Sequence, residues 1–475
     1  MLVISTFLIN SVFNFALGLL IARFLGPQGF GQYAIATAFA VVLNTLFLDW
    51  IRLAATRFYS DKTRDENPVI RGTLDAIFVL SAFGVVLTCA VTLALGFDFG
   101  LTIALAALVP AMSICNGLFD YHTALARARF EERTYSLMVI LKNVISLILM
   151  IGGAWWFQSP VVVAAGFVVS ILATLLVARK RLLDPSIRIH APDWKDAKRF
   201  FLYGFPVIVA SMIYYMIPLW NRTAIANTQG FAASGQFSLA YDIAIRVVQT
   251  VGSALDIILF QIAIKLENKT GMDDAKRQVA ANMGIVFAVL AAVTAGYWLI
   301  LPSFKAVLVP EAFRGSFAAV TTLLLPGLAC YALIQAAITP VFQLKQKTWP
   351  VVFAALVAFG VNAALSSTLG RGASISDYAQ IQTYSYGAGF VVAIVLAVFA
   401  EKIWPSFKDL AGASLATLAM VGAVWPLRSF GATFTTLLLS ALAGVLVFAA
   451  VSYVLNVANC RVIIKQWRAQ KKASP

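Results

Sequence analysis

Residues 2–22 contain no charged side chain. Wound as a helix at about 1.5 Å per residue, such a stretch covers the roughly 30 Å of hydrocarbon in a bilayer. It runs into the turn ARFLGPQGFGQY (22–33), where Gly26-Pro27 and Gly29-Phe30-Gly31 supply backbone angles that break a helix. A second apolar stretch, 34–58, follows and carries Asp49, Arg52 and Arg57. Charge at membrane depth is costly and marks a pathway or a site. The bland alternative is that Asp49 and Arg52, three apart on one helical face, simply neutralise each other.

The rest of the chain repeats this pattern. Length and absence of charge predict about fourteen spans, near 2–22, 33–57, 73–96, 101–126, 134–157, 161–178, 200–220, 237–263, 279–301, 317–343, 349–369, 381–400, 411–427 and 432–456. Only 12% of residues are charged and 61% are hydrophobic, with a mean hydropathy of +0.86, whereas soluble domains average about 25% charged. The fold class expected is an all-α polytopic membrane protein. The net charge of +15 does not imply nucleic-acid binding, because the basic residues sit in short connections between apolar spans rather than on one soluble face. The first stretch is too long for a cleaved signal and lacks a basic leader, so it is expected to remain as a span. Cys89, Cys115, Cys330 and Cys460 show no metal or CxxC spacing and are read as small buried hydrophobes.

Lys and Arg alternate between connections. With a cytoplasmic N-terminus, the inner ones hold clusters such as Arg57, Lys62, Arg64 and Arg71, Arg127–Arg133, the segment 179–199 and Lys265–Arg277, and the tail adds Arg461 to Lys472. The outer ones hold only Arg23, Arg222, Lys305, Arg314, Arg371 and Arg428. The asymmetry sets the expected orientation, with both termini cytoplasmic. Gly31-Gln32-Tyr33 opens the second span and Gly235-Gln236-Phe237 opens the eighth. An offset of six spans preserves orientation, which describes two parallel repeats with a site between them. The expected organisation is a lobe at 1–180, a basic cytoplasmic linker at 181–199, a second lobe at 200–400, and two further helices with a basic tail at 401–475. Residues 193–199 (DWKDAKR) form either a short surface helix or a plain solvated linker.

Charged groups inside the spans are Asp49 and Arg52, Asp120, Lys142, and Asp242, Arg246 and Asp256. Asp49, Arg52, Asp120, Lys142 and Asp256 all fall about 10–14 Å from the inner end of their spans at helical rise. A shared level points to a polar cavity between two bundles, with Arg52, Lys142 and Arg246 as cations for an anionic substrate and Asp49, Asp120, Asp256 and Asp242 beside them. The alternative is closed pairs, Asp49–Arg52, Asp120–Lys142 and Asp242–Arg246, with Asp256 left over. Tyr214, Tyr215 and Tyr241 could stack on sugar rings; Trp220, Trp155 and Trp156 read as interfacial belt. His122 reads either as a titrating group or, more simply, as a satisfied histidine. No catalytic constellation, metal cluster or phosphate-binding glycine loop is evident, so no cofactor is expected. A membrane-bound glycan polymerase or ligase would need a long outer loop, and no outer loop exceeds about 15–20 residues.

The stretch LIARFLGPQGFGQYAIA at 20–36 resembles the polysaccharide repeat-unit flippases (Wzx-type) of the multidrug/oligosaccharidyl-lipid/polysaccharide exporter superfamily, through Arg23, Leu25, Gly26, Pro27, Phe30, Gly31 and Tyr33. The resemblance implies two six-helix lobes facing each other, two extra C-terminal helices and a bacterial inner membrane. It also implies a flippase rather than an enzyme, acting on an undecaprenyl-type lipid diphosphate oligosaccharide for O-antigen or exopolysaccharide synthesis, alongside a glycan polymerase and chain-length machinery. It fixes no binding residue; those named above rest on depth alone. A coupling proton or sodium ion is left open, and a multidrug exporter of the same superfamily is the alternative within transport.

Overall fold

The computed structural model describes residues 2–59, 69–96, 99–182, 192–345, 347–369 and 372–461. The expected inner cations Lys62 and Arg64, the middle of the basic linker (183–191), Arg371 and the basic tail from 462 lie outside the described residues.

Among the described residues 13 helices are long and apolar enough to cross a membrane. The first of these, Ile9–Phe47, is two spans, because helix α1 (Leu2–Phe47) is interrupted at Gly26, whose φ of 64° and ψ of 177° are non-helical. That conformation is open essentially only to glycine. The expected glycine-rich turn is therefore compressed to one residue, and Pro27 follows it as the first residue of the new helical arm, where its missing N–H costs nothing. Divided there, the described residues hold fourteen candidate spans, and the chain is an all-α polytopic membrane protein.

The same device recurs further on. Helix α8 (Trp194–Gln229) stops at Gly230 (φ 88°, ψ 167°), α9 (Phe231–Thr270) stops at Gly271 (φ 104°, ψ 177°), and α10 (Met272–Leu308) follows at once. The spans expected at 200–220, 237–263 and 279–301 are thus the apolar centres of much longer helices. Polar residues that hydropathy assigns to connections continue the helical ladder beyond the apolar window. Arg222, expected in an outer connection, is on α8, buried, and donates to the carbonyl of Ala34 at 3.2 Å. Residues 194–199 are the first turns of α8, with Asp193 capping Lys195 N at 2.8 Å, so there is no separate surface helix.

The chain divides into two compact units, Met1–Leu239 and Ala240–Pro475. The first contains α1, α2 (Asp49–Phe58), α3 (Val69–Ala94), α4 (Ile103–Ala128), α5 (Glu132–Ser146), α6 (Gly152–Phe157), α7 (Pro160–Leu182), α8 and the start of α9. Its helices close around two features. At one end, Asp75 of α3 takes Arg71 Nε at 3.0 and 2.9 Å and the hydroxyl of Tyr121 (α4) at 2.7 Å, while Arg129 reaches the Tyr59 hydroxyl at 2.9 Å. These bonds give buried arginines polar partners and tie the ends of α2, α3 and α4 together. The second feature is glycine. Helices in lipid gain little from apolar burial against each other, so close packing through small residues matters more. A Cβ on Gly31 would lie 2.0 Å from the carbonyl oxygen of Phe231, and a Cβ on Gly235 would lie 2.0 Å from that of Pro27. The second arm of α1 and the first turns of α9 therefore meet backbone to backbone.

The second unit holds most of α9, then α10, α11 (Arg314–Leu333), α12 (Thr339–Leu344), α13 (Trp349–Thr368), α14 (Ile375–Leu396), α15 (Phe407–Val424) and α16 (Phe434–Leu455). Tyr331 and Tyr386 stack at 5.0 Å between α11 and α14, and Ser385 bonds Asn362 of α13 at 3.3 Å. Lys345 pairs with Glu401 at the ends of α12 and the helix that follows α14. The last two helices pack on α10 and on each other. Arg428, after α15, lies 4.6 and 4.7 Å from the rings of Trp298 and Trp425 and donates to the carbonyls of Leu299 (3.0 Å) and Trp298 (2.6 Å). Asp409 takes the Ala458 N–H at 2.8 Å. Rows of exposed apolar side chains, such as Val79, Leu80, Phe83, Val86 and Leu87 on α3, form faces suited to lipid.

Candidate functional site: a polar cavity in the first unit

The second arm of α1 and helix α2 are nearly continuous, since Leu48 N still bonds Asn44 O at 2.8 Å across the junction. Val41, Thr45, Asp49 and Arg52 recur every three or four residues and so share one face, with Asn44 beside them. Asn116, Asp120 and Arg127 share a face of α4 in the same way. The two faces run in register. Asn44 and Leu48 lie against Gly117, and Ile51 and Ala55 share a buried cluster with Tyr121 and Leu125. Together with Tyr215 of α8, these two faces line a cavity of about 340 Å³. That is within the usual range for small-molecule sites, roughly 300–1,000 Å³.

Within the cavity Arg52 Nε donates to Asp49 Oδ1 at 2.7 Å, and Asn116 Nδ2 donates to Asp120 Oδ2 at 3.1 Å. Arg52, Lys142 and Arg127 all act electrostatically on Asp120. The Lys142 ammonium sits 5.4 Å from the ring centre of Phe119, one residue from Asp120 on α4. Two cations and two carboxylates line the space, and Lys142 adds a third cation within electrostatic reach, so the local sum is positive. The Asp49 bond engages Arg52 through Nε; a guanidinium has five N–H donors, which leaves it able to bind a second oxyanion.

Of the residues expected from depth, Asp49, Arg52 and Asp120 line this cavity and Lys142 stands close to Asp120. The Asp49–Arg52 pair foreseen by the bland alternative is made, but in the wall of a cavity rather than in a dry interior. Tyr214 is fully buried and does not line it; its neighbour Tyr215 does. Tyr241, Asp242, Arg246 and Asp256 are on α9 in the second unit. There Tyr241 is buried, Asp242 half-buried and Arg246 exposed. Asp256 Oδ1 is buried with no hydrogen-bond partner among the described residues. His122, on α4, does not line the cavity, and its Nδ1 is buried and unpartnered among the described residues. Sequence reasoning passed over Asn44, Thr45, Asn116 and Arg127. The signal was spacing: Asn116 is four before Asp120, and Thr45 is four before Asp49.

No curated protein matches this sequence. Among solved structures, the chain is similar to the lipid II flippase MurJ in an inward closed conformation, with a TM-score of 0.70 at 15% identity over 98% of this chain and 99% of that one. It is also similar to an inward-facing multidrug resistance MATE transporter of the MOP superfamily (TM-score 0.61, 12% identity, 83% and 95% covered) and to a Vibrio cholerae MATE transporter (0.52, 12%, 84% and 96%). At these identities the likeness is one of fold. The family model described as "polysaccharide biosynthesis protein" matches residues 1–260, which include the Gly26 break, the whole cavity and the Gly31–Gly235 crossing. The chain belongs to the polysaccharide biosynthesis protein family.

Proposed function

We propose that the protein is a flippase that carries a lipid diphosphate-linked oligosaccharide from the inner to the outer leaflet of a bacterial inner membrane, without catalysing a covalent reaction. The observation that carries this reading is the cavity of the first unit, where Arg52 and Arg127 face one polar space among membrane-crossing helices and Lys142 adds positive charge. Arginine presents a planar fork to phosphate oxygens, so Arg52 and Arg127 are assigned to the diphosphate. The family supports a polysaccharide precursor as cargo, and the lipid tail of such a cargo can stay in the bilayer beside apolar helix faces.

Alternating access is assigned to movement of the lobes at 1–180 and 200–400, and Arg246, Asp242, Asp256 and Tyr241 are assigned to contact the cargo during that cycle. Lys and Arg bias supports a cytoplasmic position for both termini. A diphosphate with about two negative charges gains roughly 4–5 kcal/mol moving outward through 100 mV, inside negative. A multidrug exporter for cationic drugs is the rival, and the positive local sum in the cavity disfavours it. Glycan polymerase and chain-length proteins are the expected partners downstream.

The test is Arg52→Ala in cells. The variant should reach the membrane in normal amount, glycan export should fall at least about tenfold, and lipid-linked glycan should accumulate on the inner leaflet. Export at the unaltered level would remove the cavity from the pathway.

A further inference from the structure

The charged and neutral groups of the cavity are not mixed. Because α1–α2 and α4 run in register, position along them orders the lining. Arg52 and Arg127 stand at one end, Asp49 and Asp120 follow, and Asn44, Thr45 and Asn116 stand at the other. Arg52 lies eight residues beyond Asn44, and Arg127 eleven beyond Asn116, which is about 12–16 Å of helix. The cavity is therefore long enough to hold two chemically different parts of one ligand.

The neutral end is built rather than incidental. Asn44 and Thr45 are buried, 6% and 2% exposed, yet both line the space. Asn44 Oδ1 is buried without a hydrogen-bond partner among the described residues, against the backbone of Gly117, where a Cβ would come within 2.7 Å of it. A buried acceptor left without a donor is costly. Turning the amide about χ2 exchanges its two ends, so Asn44 can present either a donor or an acceptor to the cavity. Asn116 offers a second amide and Thr45 a hydroxyl. Groups that both donate and accept, carry no charge and sit past the phosphate-binding end suit a ring bearing hydroxyls.

We infer that Asn44, Thr45 and Asn116 form a sugar subsite that reads the residue attached directly to the diphosphate, and so determine which lipid-linked glycan is carried. This rests on the flippase reading for its ligand and adds a division of labour: arginines hold the phosphates, and the amides and hydroxyl choose the sugar. Sites that hydrogen-bond a hydroxyl reject ligands lacking it strongly, because the site's own polar groups are then left unpaired.

The experiment measures binding of two probes to the purified full-length protein: a polyprenyl diphosphate carrying a disaccharide and the same polyprenyl diphosphate without sugar. Asn44→Ala combined with Asn116→Ala should weaken binding of the glycosylated probe about tenfold and leave the bare probe within about twofold. Thr45→Val, which keeps the shape and removes only the hydroxyl, should show the same selectivity at about threefold. Arg52→Ala should weaken both probes alike. Equal loss of both probes in the amide variants, or no loss of either, with Thr45→Val indifferent, overturns the sugar subsite. Unchanged binding of both probes by Arg52→Ala would instead overturn the phosphate assignment, while a selective effect of the amide variants would still stand.

Discussion

Gly31 and Gly235 meet as mirror partners: the Cβ position of each lies 2.0 Å from the carbonyl oxygen four residues before the other, Phe231 for Gly31 and Pro27 for Gly235. Each also stands five residues after a positive-φ glycine, Gly26 and Gly230. The faint sequence similarity between GQY and GQF is therefore the trace of one structural unit, a glycine break followed by a helix start, used twice and crossed on itself.

Alanine at either crossing glycine forces two backbones apart, which no side-chain rotamer relieves. Gly31→Ala or Gly235→Ala should each destabilise the protein by about 1–3 kcal/mol, the cost of overpacking a tight contact. The loss would be read as a lowered thermal midpoint in detergent. Valine at either site should cost more.

Gly26→Ala tests a different property. No side chain crowds Gly26, but its φ of 64° with ψ of 177° is closed to other residues. Strain of about 1–3 kcal/mol should follow. Because the space is open, Gly26→Ala and Gly26→Val should be similarly affected in a thermal melt, unlike the pair at Gly31.

Tyr121→Phe removes one of the donors to Asp75 and leaves the ring stacked on Phe78 at 5.5 Å. The loss should be about 0.5–1.5 kcal/mol. Asp75→Ala leaves the buried Arg71 without its carboxylate partner and should cost distinctly more, about 1.5–3 kcal/mol. Denaturation of the two variants side by side checks the ranking.

Arg428→Lys keeps the charge but loses both the flat contact with Trp298 and Trp425 and the fork onto two carbonyls. It should lower stability by about 1–2 kcal/mol and raise proteolytic nicking between α15 and α16, with little effect on the first unit.

Much of the fold was legible because the bilayer imposes a length on every apolar run. Fourteen long apolar stretches with few charges are enough to give the class and the count. Helix ends were less legible. Hydropathy reports where the lipid is, whereas α8, α9 and α10 continue on hydrogen bonding until a glycine stops them, and this is why Arg222 was misplaced. The site divides in the same way. Asp49, Arg52 and Asp120 stand out because charge is rare at that depth. Asn44 and Asn116 do not, since an uncharged amide in an apolar helix raises no alarm until its neighbours are seen.

The fastening of the last two helices has a mechanical consequence. Arg428 grips α10 near one end of the pair, and Asp409 ties α15 to the backbone that follows α16 near the other. With α15 and α16 packed on α10, any tilt of α10 is a tilt of three rods, which must push aside far more lipid than one. The pair works as a keel: it adds viscous drag to one helix.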